Sequence, residues 1–312
     1  MVHVRLIAPP GLSERVLELL SGFASVFNVI HLPGASRKPV GDLFLCDVAR
    51  EDASILVGEL RGLGLDREGT IVVETADTAI SEAARRAVEL AVGSPADAVV
   101  WEEVEARTSE SAELSFTFVA LMVLATLIAA AGILNDSVIL IIGAMVVGPE
   151  FGPLAGFCIA AVQRRTDLAR RSLLALLVGF PAGIIASLAG TLLARAADRA
   201  PDALTASTHP ATLFISNPNV WSIVVAVLAG VTGVLSLTTA KSSALIGVLI
   251  SVTTIPAAAN VGAGVAYADW NEAGGALAQL ALNLVAIMTA GAGTLSLQRA
   301  VYARRLARHR AA

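Results

Sequence analysis

Two apolar segments of this chain are long enough to cross a lipid bilayer, and both carry helix breakers at the depth where hydrocarbon is thickest. Residues 137–162 contain Gly148-Pro149-Glu150-Phe151-Gly152-Pro153, and residues 244–266 contain Pro256-Ala257-Ala258-Ala259-Asn260-Val261-Gly262. About 20 apolar residues at ~1.5 Å rise cross the hydrocarbon layer. Proline has no N–H, and its ring disrupts the preceding turn. The carbonyls it frees need partners, so such a break is tolerated only inside protein or beside a watery cavity. A matched pair of interrupted helices in the two halves of one chain points to a transport-type binding site.

The composition divides the chain in two. Of 312 residues, 55% are hydrophobic and only 15% charged, and the charge is concentrated in the first 112 or so. The expected domains are a soluble one at 1–80, a helical acidic linker at 81–113, a membrane domain at 114–300 and a basic tail at 301–312. The N-terminus lacks the basic region and short apolar run of a signal peptide, so the first span would itself direct insertion. Cys46 and Cys158 fall in different parts without metal spacing and read as small buried apolar residues.

In the soluble part, strands are expected at residues 4–8, 26–32, 42–48 and 69–75, with helices at 12–24 and 53–63. Pro33-Gly34 is expected to end the second strand. The order β-α-β-β-α-β predicts a ferredoxin-like α+β domain, a fold that hosts many functions and names none. Gly11 and Ser13 open the first helix, where backbone N–H groups favour anions. Arg37 and Lys38 add two cations in the loop 33–39, making these four residues candidates for a small cytoplasmic ligand. Ordinary turn and cap roles explain the same residues. The linker acids Glu102, Glu103, Glu105, Glu110 and Glu113 read either as a solvated helix or as a collar that binds cations or gates.

The membrane part is expected to be all-α, with six apolar stretches at about 115–134, 137–162, 172–194, 219–238, 244–266 and 273–298. Arg164, Arg165, Arg170, Arg171, Lys241, Arg299, Arg304, Arg305, Arg308 and Arg310 fall on one side, against Arg195 and Arg199 on the other. That bias places both termini in the cytoplasm. Aligned on Pro149 and Pro256, the broken segments also suggest an inverted repeat, each followed by an Asp (Asp167, Asp269) that begins the next helix; the alignment needs a gap of about five residues.

Several motifs together carry a family resemblance. They are Ile141-Ile142-Gly143-Ala144-Met145 leading into Gly148-Pro149, then Gly152-Pro153-Leu154-Ala155-Gly156, Ser216-Asn217-Pro218, Ala229-Gly230, Leu245-Ile246-Gly247-Val248 and Asn283-Leu284-Val285-Ala286-Ile287. Over about 115–290 the chain resembles the bacterial membrane-protein family catalogued as domain of unknown function 389. The resemblance implies a multi-span inner-membrane protein with a ferredoxin-like domain ahead of its spans, and no settled activity. The family has Ser-Pro-aliphatic at the first break and often Pro-Pro at the second. This chain has Gly148-Pro149-Glu150 and Pro256-Ala257, so no family role transfers to Glu150.

The candidate solute or ion site comprises Gly148, Pro149, Glu150, Gly152, Pro153, Thr254, Pro256, Asn260 and Gly262. An unpaired carboxylate at mid-bilayer costs roughly 2.5–3.5 kcal/mol on insertion scales. Glu150 therefore reads as a proton- or cation-coupling group, or else as part of a re-entrant turn at the cytoplasmic surface beside Arg164 or Arg165. Asn260 either serves the site or satisfies local backbone. Asn283 and Thr289 read as interhelical hydrogen-bond partners. Gly143, Gly148, Gly152, Gly156, Gly262 and Gly264 read as close-packing positions, as ligand contacts, or as both.

No catalytic pattern or metal spacing is present, so no enzyme is expected and no cofactor is named. The basic tail follows a span directly and reads as a topology and lipid signal, not a nucleic-acid site. The expected function is a transporter or channel for a small solute or ion in the inner membrane, gated by a ligand at the cytoplasmic domain. It would work as a homo-oligomer, a dimer or trimer. The alternative is a membrane-anchored sensor or scaffold without a permeation path.

Overall fold

The computed structural model describes residues 1–76, 79–91, 98–204, 210–238 and 253–311, with side chains at all of these except 107, 213 and 305–311. The expectations at Gly93-Ser94-Pro95, His209, Lys241 and residues 244–252 lie outside the described residues, as do the side chains of Arg305, Arg308 and Arg310. The chain divides into two compact units, one formed by Met1–Ala106 and the other chiefly by Arg107–Leu237 with the C-terminal part.

The first unit is built on a four-stranded antiparallel sheet in the order β2-β3-β1-β4, with β1 at Val2–Ala8, β2 at Val26–Arg37, β3 at Val40–Val48 and β4 at Thr70–Thr75. Helices α1 (Ser13–Gly22), α2 (Arg50–Gly62), α3 (Leu65–Glu68), α4 (Glu82–Leu90) and α5 (Trp101–Ser111) complete the order, with the unit boundary falling inside α5. Val2, Val4, Leu6 and Ala8 alternate inward on β1 and are fully buried, as period-2 patterning requires.

Pro33-Gly34 does not end β2. The strand is at the sheet edge, where a residue without an N–H is tolerated. Gly34 takes φ +63° in a register shift between Leu32 and Ser36, and pairing resumes at Ser36↔Gly41. The expected loop 33–39 is therefore mostly strand and hairpin turn. The acidic linker differs too. Ser54 donates to Glu102 at 2.7 Å and Arg50 to Glu103 at 3.1 Å, while Val100 and Val104 are buried, so the start of α5 is packed and not simply solvated.

The second unit is helical. Four of its helices are long and apolar enough to cross a membrane: α6 (Phe116–Leu134), α9 (Thr166–Ala196), α10 (Val220–Thr238) and the apolar part, Trp270–Arg304, of α12 (Trp270–Ala311). A fifth candidate is the pair α7 (Val138–Val147) and α8 (Phe151–Gln163), bent by 52° at Gly148-Pro149-Glu150. Among the described residues the count is thus four or five, against the six expected.

The remaining apolar helix, α11, covers Thr254–Ala266. Here the expected break at Pro256–Gly262 is replaced by continuous helix. Pro256 occupies the third helical position, where an intrahelical N–H bond is not yet required. Ala257, Ala258 and Ala259 then have the best helix propensity of any residue. At 13 residues α11 is ~20 Å long, too short to cross ~30 Å of hydrocarbon alone. It is buried almost throughout, packed by α6, α7, α9 and α12.

The two short helices pack on the same pair of long ones at opposite ends. On α9, a methyl at Gly156 of α8 would lie 2.6 Å from Ser172 Oγ, whereas Ser187 donates to Ala259 O of α11 at 2.6 Å. On α12, Cys158 of α8 donates to Met288 O at 3.4 Å and Arg299 donates to Val162 O at 2.6 Å, whereas Asn260 of α11 bonds Glu272 at 2.6 Å. Helices α8 and α11 therefore run away from one another along α9 and α12, and their N-termini meet.

Candidate functional site

At the meeting point the chain turns from α7 into α8. Pro149 cannot donate to the α7 ladder, so that helix stops at Val147 and α8 starts afresh at Phe151. Glu150 lies in the turn with only 4% of its surface exposed. Its Oε1 accepts a hydrogen bond from Thr254 Oγ1, the first helical residue of α11, at 2.7 Å. Its Oε2 is buried without a hydrogen-bond partner. Gly148 makes room for that oxygen: a methyl there would overlap Oε2 and approach Ile255 Cγ1 to 2.7 Å. The reading that puts Glu150 at a surface beside Arg164 or Arg165 does not hold. The carboxylate is buried against α11, and Arg165 pairs with Asp167 instead.

A polar seam continues from this point. Thr253 Oγ1 accepts from Asn283 Nδ2 at 3.0 Å, and Gln279 Nε2 donates to Asn283 Oδ1 at 3.1 Å. Asn283 is thus an interhelical partner, as expected, whereas Thr289 bonds only its own helix at Val285 O and Ala286 O. The buried oxygens Gln279 Oε1 and Asn260 Oδ1 lack partners.

The nine candidate residues separate into groups. Gly148, Glu150 and Thr254 come together, with Pro149 and Pro256 beside them. Asn260 lies six residues beyond Thr254, ~9 Å along α11, and is held by Glu272. Gly262 is a packing position, since a methyl there would sit 2.7 Å from Leu188 N of α9. Gly152 faces Ser111, 2.6 Å from its carbonyl oxygen to an added methyl, and Pro153 is buried in the first turn of α8. Gly143 has open space around it and packs on nothing.

Beside the bend lies an open cleft of about 420 Å³. Gly148, Pro149 and Phe151 line it, together with Glu110, Glu113 and Ser115. Both residues that flank Glu150 in sequence thus border this space.

Sequence reasoning read Arg195 and Arg299 only as topology signals and missed their capping roles. Arg299 of α12 binds Val162 O at the C-terminus of α8, and Arg195 of α9 binds Ala266 O at the C-terminus of α11 at 2.5 Å while its guanidinium lies over the Tyr267 ring. A cation there complements the negative end of a helix. The signal was available: each arginine stands 29 residues after the first residue of its own helix, Thr166 or Trp270.

In the first unit, Gly11 is exposed in a turn and Arg37 and Lys38 are exposed at the β2–β3 hairpin tip. Ser13 is buried and donates to Pro9 O at 3.3 Å. The anion that collects donors here is the chain's own Asp42. The Gly34 N–H at 2.8 Å, and then His31 at 2.9 Å, hold its carboxyl below the usual carboxylate range, with a smaller contribution from the Ser13 hydroxyl. Burial pushes the Cys46 thiol up to about 12, aided by the Asp47 charge, so it stays protonated. Among the described residues no cluster of His, Cys, Asp and Glu could hold a metal ion.

Residues 145–289 match the family model described as Domain of unknown function (DUF389), in agreement with the resemblance read from the motifs. An uncharacterized protein of Methanocaldococcus jannaschii is 28% identical over 197 residues, covering 61% of this chain and 56% of that protein. The chain thus spans little more than half the length of that relative. No solved structure matches it. These findings and the apolar helices define a membrane protein of an uncharacterised family.

Proposed function

We propose that this protein is a membrane transporter or channel for a small solute or ion, with its site where the N-termini of α8 and α11 meet. The observation that carries the reading is the Glu150–Thr254 contact: a buried carboxylate joining the starts of two half-length helices that together are ~39 Å long, enough for a bilayer. Transport sites are commonly formed by discontinuous helices whose N-termini point at the substrate.

An inverted repeat is part of this reading. Each copy has a 13-residue helix with proline at its third position (Pro153, Pro256), followed by a long helix that packs back on it. Pro153 is the better partner of Pro256 than Pro149. From Pro153 to Asp167 is 14 residues and from Pro256 to Asp269 is 13, so the gap shrinks to one. The reciprocal arginines support the same symmetry, since each long helix caps the short helix of the other copy.

The reading further takes the first unit as a ferredoxin-like domain that senses a small ligand and biases gating. Its strand order and its element order agree with that fold. Both termini lie in the cytoplasm and the protein sits in the inner membrane as a homodimer or homotrimer. The test is reconstitution into lipid vesicles and light-scattering measurement of permeation for a panel of ions and small solutes. At least one class should equilibrate faster than through protein-free vesicles, and Gly148→Leu should stop it. Wild-type vesicles no more permeable than empty ones to every solute and ion would leave the protein without a permeation path.

A further inference from the structure

Two helix N-termini carry roughly +0.5 elementary charge each. Where α8 and α11 meet, these sum to about one positive charge, and one ionised Glu150 cancels it. Among the described residues, the other charged and titratable groups are placed elsewhere. Helices α6, α7, α10 and α11 contain none, and α8 contains only Cys158, whose thiol donates to Met288 O. Arg299 and Arg195 are engaged at the far ends of α8 and α11, ~20 Å away. Glu272 holds Asn260, and Tyr267 donates to Pro201 O. On α9, Asp167 pairs with Arg165, and Arg170 and Arg171 lie in the first turns with it. Further along α12, Tyr302 and Arg304 follow Arg299. From α5 and its end, Glu110 and Glu113 border the cleft.

This balance discriminates between ligands. Adding a metal cation to an ionised Glu150 leaves an uncompensated positive charge in a buried site. Adding a proton to Glu150 and an anion to the two helix ends leaves none. The unpartnered Oε2, buried beneath Gly148 at the cleft wall, is the atom a proton would occupy. Helix N-termini are ready-made anion sites, and here the chain's own carboxylate lies where two of them meet, held by the Thr254 hydroxyl.

We infer that Glu150 is a tethered anion that competes with a small anionic solute for the paired N-termini of α8 and α11, so that binding the solute takes a proton onto Glu150 Oε2. The proton comes from the buffer acid in solution, whose conjugate base stays in solution, and reaches the site through the cleft bordered by Glu110 and Glu113. One O–H bond forms on Oε2, and the incoming anion replaces the carboxylate charge. This inference rests on the transport reading and specifies the chemistry of that site.

The test is calorimetric titration of the full-length protein, in detergent, with sodium formate and sodium nitrate. Two buffers of different ionisation enthalpy are used at pH 6, 7 and 8. Nitrate stays ionised throughout, so uptake of a neutral acid is distinguished from binding of an anion. Wild-type protein should take up about one proton per bound anion and bind at least tenfold more tightly at pH 6 than at pH 8, as linkage requires. Glu150→Gln should bind both anions with no proton uptake and no pH dependence. Anion binding without proton uptake by the wild type overturns the inference whether or not the variant folds. So does a saturable response to sodium over choline chloride with none to either anion, and so does failure of both anions to bind at any of the three pH values. Proton-linked binding without flux in vesicles would overturn transport and leave the coupling standing. Flux of either anion with no accompanying proton movement would do the reverse.

Discussion

Glu150 gains one hydroxyl donor from Thr254 and leaves its other oxygen without a partner. Removing a donor from a buried charged group costs ~1–3 kcal/mol or more. Thr254→Val keeps the side-chain shape and should lower the melting temperature of the purified protein; an unchanged midpoint would mean that the hydroxyl bond contributes nothing. A second residue-scale prediction concerns Asp42. Its carboxyl is held below its ordinary value in the folded state, so its contribution is fully present above the unfolded value of ~3.9 and disappears as pH falls through the folded one. Amide protection relative to the intrinsic exchange rate should therefore fall along β2 and β3 at acid pH in wild type, and Asp42→Asn should show that lower protection already at neutral pH. Equal protection in the two proteins at pH 7 would remove Asp42 from the stability of the hairpin.

Among the elements, the short helices depend on their neighbours more than on propensity. Gly262 lets the α11 backbone approach α9 closely, and a larger side chain there overlaps Ile184 O and Leu188 N. Overpacking of this kind costs ~1–3 kcal/mol, and against backbone it reaches the upper part of that range. Gly262→Leu should lower thermal stability accordingly, whereas Gly143→Leu, facing open space, should change it little. Arg195→Gln and Arg299→Gln each remove a cation from a helix C-terminus, an effect of ~0.3–1 kcal/mol. If the two copies are related by symmetry, the two losses should match within error; a loss at only one would break the equivalence.

The elements also show what could be read in advance. The bend at Gly148-Pro149-Glu150 was legible because two helix breakers stand side by side there; a lone proline does not suffice, since Pro181 lies inside the continuous helix α9. The second segment misled because Pro256 sits where a helix accepts proline, and Asn260 and Gly262 are held helical by Glu272 and α9, which are contacts remote in sequence. Pro33-Gly34 misled for a similar reason, since an edge strand absorbs both residues in a bulge. Buried Glu150 could be suspected from its place in an apolar run. Thr254 could be named as a member of the same site, but its hydrogen bond to Glu150 could not, because 104 residues separate them.

For the whole molecule, the proposed span arrangement has both termini on one face of the membrane. Thiol labelling of single cysteines placed at Ser111 and Arg304 should report the same side, and one at Asp198 the opposite side. Labelling at Asp198 from the same side as the other two would overturn the span arrangement. The central claim is that the meeting point of α8 and α11 is a wet site within the bilayer. Its most direct measurement is the reaction of a Glu150→Cys protein, lacking Cys46 and Cys158, with a water-soluble thiol reagent in lipid vesicles. Met122, fully buried in α6, and Ser115, exposed at the cleft, supply the inert and reactive cysteine references. Position 150 should react at a rate between the two and more slowly when formate is present; a cysteine as inert as the one at 122, with the protein folded, would contradict the account.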